Sequence, residues 1–289
     1  MTRPIFKNQY CQTDVILGKG YESIVYKGYD IECDQNVAIK KISNTEKTKP
    51  KLLNEIEIME KMNHKNIIKI YDTIINDNYD FVIILEYCES GTLKDYMKIV
   101  KKFSENIVKY YIKQLKDALY FLYINNILHR DLKPDNILLK DNYRTLKLAD
   151  FGLSKILNVS DLTTTICGTP LYMAPEIIIG DYYNNKCDLW STGCIIYQML
   201  YEKTPFEQAH SFTELQNLID NTIINYPIDN PITKNCSKLL ESLLEKNIKK
   251  RIKWCDFFEH KWFSNLEDEP EVTFHVHHFQ IIDEYHKLI

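Results

Sequence analysis

His129-Arg130-Asp131-Leu132-Lys133-Pro134-Asp135-Asn136 is the stretch that decides how this chain reads. It sets two carboxylates, two cations and an amide between the apolar runs Ile127-Leu128 and Ile137-Leu138-Leu139. Asp131 can orient a hydroxyl nucleophile and accept its proton. Asn136 can offer an amide oxygen to a hard cation such as Mg²⁺. Downstream, Asp150-Phe151-Gly152 follows Leu146–Ala149, and Asp150 would add a charged metal ligand. Each Asp alone reads as a turn or capping residue. All of them in this order do not.

Toward the N-terminus, Gly18-Lys19-Gly20-Tyr21-Glu22-Ser23-Ile24-Val25 sits between two predicted strands. Glycine there lets the backbone approach phosphate oxygens that a Cβ would hold off. Alone, two glycines in a hairpin are more often just a turn, and a strand follows where a dinucleotide fold needs a helix. Val37-Ala38-Ile39-Lys40 is a strand ending in one lysine. Alone, Lys40 reads as a solvated edge residue. Glu55, in a predicted helix over Pro50–Met62, could hold that ammonium toward phosphates; Glu57 and Glu60 are less well placed.

Predicted strands fall at Val15–Leu17, Ser23–Gly28, Asn36–Ile42, Ile67–Thr73 and Tyr79–Glu86. After Gly91 the pattern turns helical. Helices are expected at Thr92–Val100, at Ser104–Asn125 with Ser104 as N-cap, and at Cys187–Tyr201, Ser211–Asn217, Ser237–Glu245 and Cys255–His260. A β-rich segment before an α-rich one is an α+β order that fits two lobes.

The chain has 289 residues, 45% of them hydrophobic, which suffices for a buried core. Its formal net charge of -4 gives no basic field for nucleic acid. No apolar run approaches a membrane span, and Met1–Tyr10 has no secretory core. The eight cysteines form no Cys-x-x-Cys pair and read as reduced thiols. Only four arginines occur (Arg3, Arg130, Arg144 and Arg251), so each raises the question of a planar, forked contact. The His275, His277 and His278 cluster reads as tail rather than as a metal site.

Together these motifs resemble the eukaryotic-type protein kinases over roughly Tyr10 to Phe263, with Ala174-Pro175-Glu176 and Asp188-Leu189-Trp190-Ser191 as further matches. The resemblance implies a bilobal kinase fold of class α+β. A small antiparallel β-sheet lobe with one helix (about 11–86) would join a larger, mostly α-helical lobe (about 91–263). Residues 1–10 would be an extension and 264–289 a tail.

It implies ATP and Mg²⁺ as cofactors and Ser/Thr hydroxyls of protein substrates as acceptors. Leu17, Gly18, Lys19, Gly20, Ser23, Val25, Ala38 and Leu138 would enclose the nucleotide. Leu85 would be the gatekeeper, and the backbones of Glu86 and Cys88 would pair with adenine. Lys40, held by Glu55, would contact phosphates, while Asn136 and Asp150 would hold the metal. Asp131, Lys133 and Thr169 would serve the transfer itself. Ser23 departs from the usual third glycine.

The resemblance further implies activation by phosphorylation at Thr165, with Thr163 and Thr164 as neighbours that could substitute, read by Arg130 and Lys155. It pairs Arg251 with Glu176. Lys133 with Gly168-Thr169-Pro170 points to the Ser/Thr class, and Cys167–Glu176 most resembles the unc-51-like autophagy kinases. The reaction would run in the cytoplasm, or in the host cytoplasm if the chain is viral. A scaffold that binds ATP or a partner without turnover is the alternative.

Overall fold

Period-two patterning and β-branched residues make the first third of the chain a sheet. The computed structural model describes residues 4–20, 23–42, 49–75, 81–152, 154–156, 169–224, 226 and 231–264, apart from the side chains of 49–52, 54, 55, 75, 155 and 156. The small lobe holds β1 (Ile5–Phe6), β2 (Tyr10–Lys19), β3 (Ser23–Asp30), β4 (Gln35–Ile42), helix α1 (Lys49–Glu60), β5 (Ile70–Ile75) and β6 (Phe81–Glu86). Their order is β1-β2-β3-β4-β6-β5, with neighbours antiparallel.

Part of the expected extension 1–10 lies in this sheet, because Ile5 and Phe6 pair with Cys11 and Tyr10. Phe6 packs on a buried cluster of Tyr10, Val37, Ile39, Val82 and Ile84, a contact too short in sequence to show as periodicity. On the other face Ile42, Phe81 and Ile83 meet Ile56 of α1. The phase of α1 buries Ile56 and Met59 and leaves Leu53 exposed. Glu57 points outward to Lys61 at 2.7 Å, and Glu60 is exposed.

The large lobe continues with α2 (Leu93–Val100), α3 (Glu105–Ile124), β7 (Ile127–Leu128), β8 (Ile137–Lys140), β9 (Thr145–Leu148) and β10 (Lys155–Ile156). It ends with α4 (Pro175–Ile178), α5 (Lys186–Tyr201), α6 (Phe212–Asn221), α7 (Lys234–Leu243) and α8 (Trp254–Phe258), followed by a 3₁₀ turn at Lys261–Phe263. The helix α3 buries one stripe, Val108, Tyr111, Ile112, Leu115, Ala118, Leu119 and Leu122, as a surface helix should. By contrast α5 is buried from Cys187 to Tyr201 except at Gln198, so it forms the lobe's axis.

Thr92, Ser211 and Thr233 cap α2, α6 and α7 through their side chains. Ser104 holds the N-cap position of α3 without a side-chain bond. The next residue, Glu105, turns outward from α3: its carboxylate receives Thr233 N–H and Oγ1–H, each at 2.6 Å, and Trp262 Nε1–H at 2.8 Å. That tie starts α7 three residues before the expected Ser237. Among the described residues no helix is long and apolar enough to cross a membrane.

Candidate active site

A catalytic loop needs a rigid floor. His129 is fully buried, with Nε2 3.1 Å from Ala149 O and its ring 5.0 Å from Phe151. Asp188, at the start of α5, accepts the backbone N–H groups of His129 (2.9 Å) and Arg130 (3.0 Å). Those bonds hold Arg130 at φ 70, a left-handed conformation that costs a non-glycine residue. Burial pushes the Asp188 carboxyl up, against the opposing pull of His129 and the two amides. In the sequence Asp188 stands out only as part of a helix motif. Its signal was a lone carboxylate among apolar neighbours.

On that floor Asp131 collects three donors. Lys133 Nζ lies 2.7 Å and Asn136 Nδ2 2.9 Å from Oδ2, and Thr169 Oγ1 donates to Oδ1 at 3.0 Å. Lys133 also donates to Thr169 Oγ1 at 2.7 Å. Asn136 spends its amide nitrogen on Asp131, since it also reaches Asp131 O at 2.8 Å. Its carbonyl oxygen is the atom left for a cation.

Lys40 reaches the same region from β4, its Nζ 3.7 Å from Asp150 Oδ1. Burial would raise the Asp150 carboxyl, but Lys40, His129, the Gly152 amide and Lys133 outweigh it and hold it below the usual carboxylate range. Asp150 is therefore ionised at neutral pH. One anionic oxygen and one amide oxygen are hard donors of the kind that share Mg²⁺ with phosphates and water. The Glu55 side chain, Thr163, Thr164, Thr165 and the Lys155 side chain lie outside the described residues.

Strand register arranges the roof. Val25 pairs with both Gly18 and Lys40, and Ala38 pairs with Leu85, so these residues share one face of the sheet. Leu138, on β8, is bridged to Thr92 and is half-buried. Leu17 is exposed beside Gly18 and Lys19, and Gly20 N–H donates to Ser23 O at 2.8 Å to close the tip. A Cβ on Gly18 would meet nothing within 4 Å, so the space above this strand end is open.

At the crossing between the lobes, the Glu86 side chain is buried and clasped by Lys140 (2.8 Å) and Lys147 (2.9 Å). Burial alone would raise its carboxyl; the two lysines more than offset this and lower it. Cys88 is partly buried, and desolvation with the Glu86 charge pushes its thiol up to about 12. It is no reactive thiolate. Below the site, Arg251 holds Glu176 in a two-pronged contact at 2.7 and 2.8 Å, as its scarcity suggested.

Comparison with known proteins agrees with this geometry. A family model described as the protein kinase domain matches residues 11–263. A serine/threonine-protein kinase of Acanthamoeba polyphaga mimivirus is 39% identical over 92% of this chain and 65% of its own length. Human ULK1 is 37% identical over 71% of this chain and 20% of its own length. Dictyostelium discoideum atg1 is 39% identical over 87% and 39% respectively. The chain thus spans less than two thirds of the length of these curated relatives.

Proposed function

We infer that this chain, which belongs to the protein kinase domain family, is a serine/threonine kinase that moves the γ-phosphoryl group of ATP onto protein hydroxyls. The observation that carries this reading is the network on Asp131, where Lys133, Asn136 and Thr169 converge within 3.0 Å. Phosphoryl transfer needs positioning and charge neutralisation more than covalent help.

In this reading Asp131 Oδ1, now bonded by the Thr169 hydroxyl, is where an acceptor hydroxyl delivers its proton. Lys133 neutralises charge on the moving group and steadies Asp131 between transfers. Lys40 holds the α/β-phosphates, with Glu55 as its expected partner. Leu17, Gly18, Lys19, Gly20, Ser23, Val25 and Ala38 cover the nucleotide, Leu138 lies beneath it, and the backbones of Glu86 and Cys88 meet the adenine edge. Asn136 and Asp150 would hold Mg²⁺, whose charge screens the phosphate oxygens.

Phosphorylation at Thr165 belongs to the same reading. A phosphate there would suit Arg130, whose backbone Asp188 already fixes. The names of the relatives support the serine/threonine class, and the viral relative supports an origin that would set the reaction in host cytoplasm. No observation favours the non-catalytic scaffold.

The test compares wild type with Asp131→Asn on Mg-ATP and a generic protein acceptor. Loss of the base should lower the rate by about 10²-fold or more. Equal rates in the two proteins would remove Asp131 from the mechanism.

A further inference from the structure

Helix α3 carries two unlike halves on the side turned away from the core. Its first three turns present Lys109, Lys113 and Lys116. Its last turns expose Tyr120, Tyr123 and Ile124 at 51, 39 and 55%. Beside them runs a groove of about 400 Å³ lined by His64, Lys65, Lys116, Asp117, Tyr120 and Phe258. Asp117, the acid in the groove, pairs with Lys65 at 3.1 Å, so the remaining charge there is positive. The Tyr120 ring stands edge-on to Phe258 at 5.1 Å and leaves its outer face open. Exposed aromatic surface next to a polar rim marks a contact site.

The described chain arrives at this place. The turn Lys261–Phe263 packs on α3, with Lys109 Nζ 5.8 Å from the Trp262 ring and Lys116 Nζ 4.7 Å from the Phe263 ring. The next residues in the sequence are acidic: Glu267-Asp268-Glu269-Pro270-Glu271. Apolar Val272, Phe274, Val276, Phe279, Ile281 and Ile282 follow. The order, acid then apolar, repeats the order of the α3 surface, basic then aromatic, read from Ser264.

The lengths agree too. Lys116 and Ile124 are separated by about 12 Å of helix at 1.5 Å per residue. Five or six extended residues, the span from Glu267 to Val272, cover roughly 16–20 Å.

We propose that the C-terminal segment 265–289 of this chain docks along α3, its acidic run on Lys113 and Lys116 and its apolar residues on Tyr120, Tyr123 and Ile124 beside the groove. The far wall of that groove is His64-Lys65, in the loop that follows α1. The docked segment therefore bridges the large lobe to the loop that follows α1. Tethered at Ser264, it meets the groove at an effective concentration of order mM, enough to keep a contact that would be weak between separate molecules.

The test uses the full chain at submicromolar concentration, without nucleotide, so it stands apart from the kinase reading. A zero-length carbodiimide, which joins only carboxylates and amines already in contact, should link Lys113 or Lys116 to Glu267–Glu271 within one chain. Oxidative footprinting should find Tyr120 and Tyr123 shielded. Reversing the acidic run (Glu267→Lys, Asp268→Lys, Glu269→Lys, Glu271→Lys) should raise their labelling about threefold or more, as should about 1 M salt acting on the same ion pairs. Cross-links joining two chains would overturn the proposal in favour of a second copy. Wild-type Tyr120 and Tyr123 that label as fast as in the reversed variant would overturn it outright.

Discussion

Replacing Arg251 by Lys keeps the charge and removes the fork. Arg251 is fully buried and makes four donations: Nη1 to Glu176 Oε1 (2.7 Å) and Lys186 O (3.1 Å), Nη2 to Glu176 Oε2 (2.8 Å), and Nε to Glu245 O (2.9 Å). Its guanidinium also lies 5.2 Å over the Trp190 ring. An ammonium offers three donors from one point and cannot span both carboxylate oxygens and two separate carbonyls. At least one charge-assisted bond is lost and a buried acceptor is left bare, each costing about 1.5–3 kcal/mol.

The expected loss is therefore about 3 kcal/mol, at the low end of the ~3–5 kcal/mol for removing one partner of a buried pair altogether. At roughly 2 °C per kcal/mol for a chain of this size, the melting midpoint should fall by about 6 °C. Thermal unfolding followed by circular dichroism measures it. A double-mutant cycle with Glu176→Gln isolates the pair, and the coupling should exceed about 1 kcal/mol. A midpoint within about 1 °C of wild type, or strictly additive single mutants, would refute the reasoning.

Glu86→Gln should destabilise the fold by about 2 kcal/mol at pH 7, because Lys147 is left buried without its carboxylate. The Glu86 carboxyl is depressed in the folded state, so its contribution is complete above the unfolded value near 4.5 and fades as pH falls through the folded one. Denaturant titrations from pH 7 to pH 3.5 should show the wild-type advantage shrinking below about 4.5, and a constant difference would contradict the clasp. Thr169→Val, which removes the hydroxyl between Lys133 and Asp131, should slow phosphoryl transfer about tenfold with little change in melting; an unchanged rate would show that hydroxyl to be idle. Gly193→Ala places a Cβ 2.8 Å from Leu244 Cδ2 and should cost about 1–3 kcal/mol, whereas a neutral result in chemical denaturation would mean that α5 and α7 shift apart freely. Cys88 should resist iodoacetamide at pH 7.5 in the folded protein, and fast alkylation would contradict its raised pKa.

Local chemistry was legible in the sequence where its partners lie close together along the chain. Asp131, Lys133 and Asn136 sit within one loop, and their mutual bonds follow from short separations. The two-lobe order also followed, since strand and helix periods differ. The phase of α1 is not legible in its own residues, because which turn touches the sheet depends on Ile42, Phe81 and Ile83, none of them nearby in sequence. Within α5, burial on every side erases the amphipathic pattern, so its role as the lobe's axis cannot be read from periodicity.

From sequence alone came the family resemblance, the β-then-α division and the reactive loop, because these rest on residue types at short spacing. Only tertiary structure decided that Asp188 pins the backbone of that loop, that Lys40 approaches Asp150, that two lysines enclose Glu86, and that Phe6 joins the sheet. Burial and long-range pairing belong to the packed chain as a whole, and a linear pattern does not encode which distant groups end up sharing a water-free space.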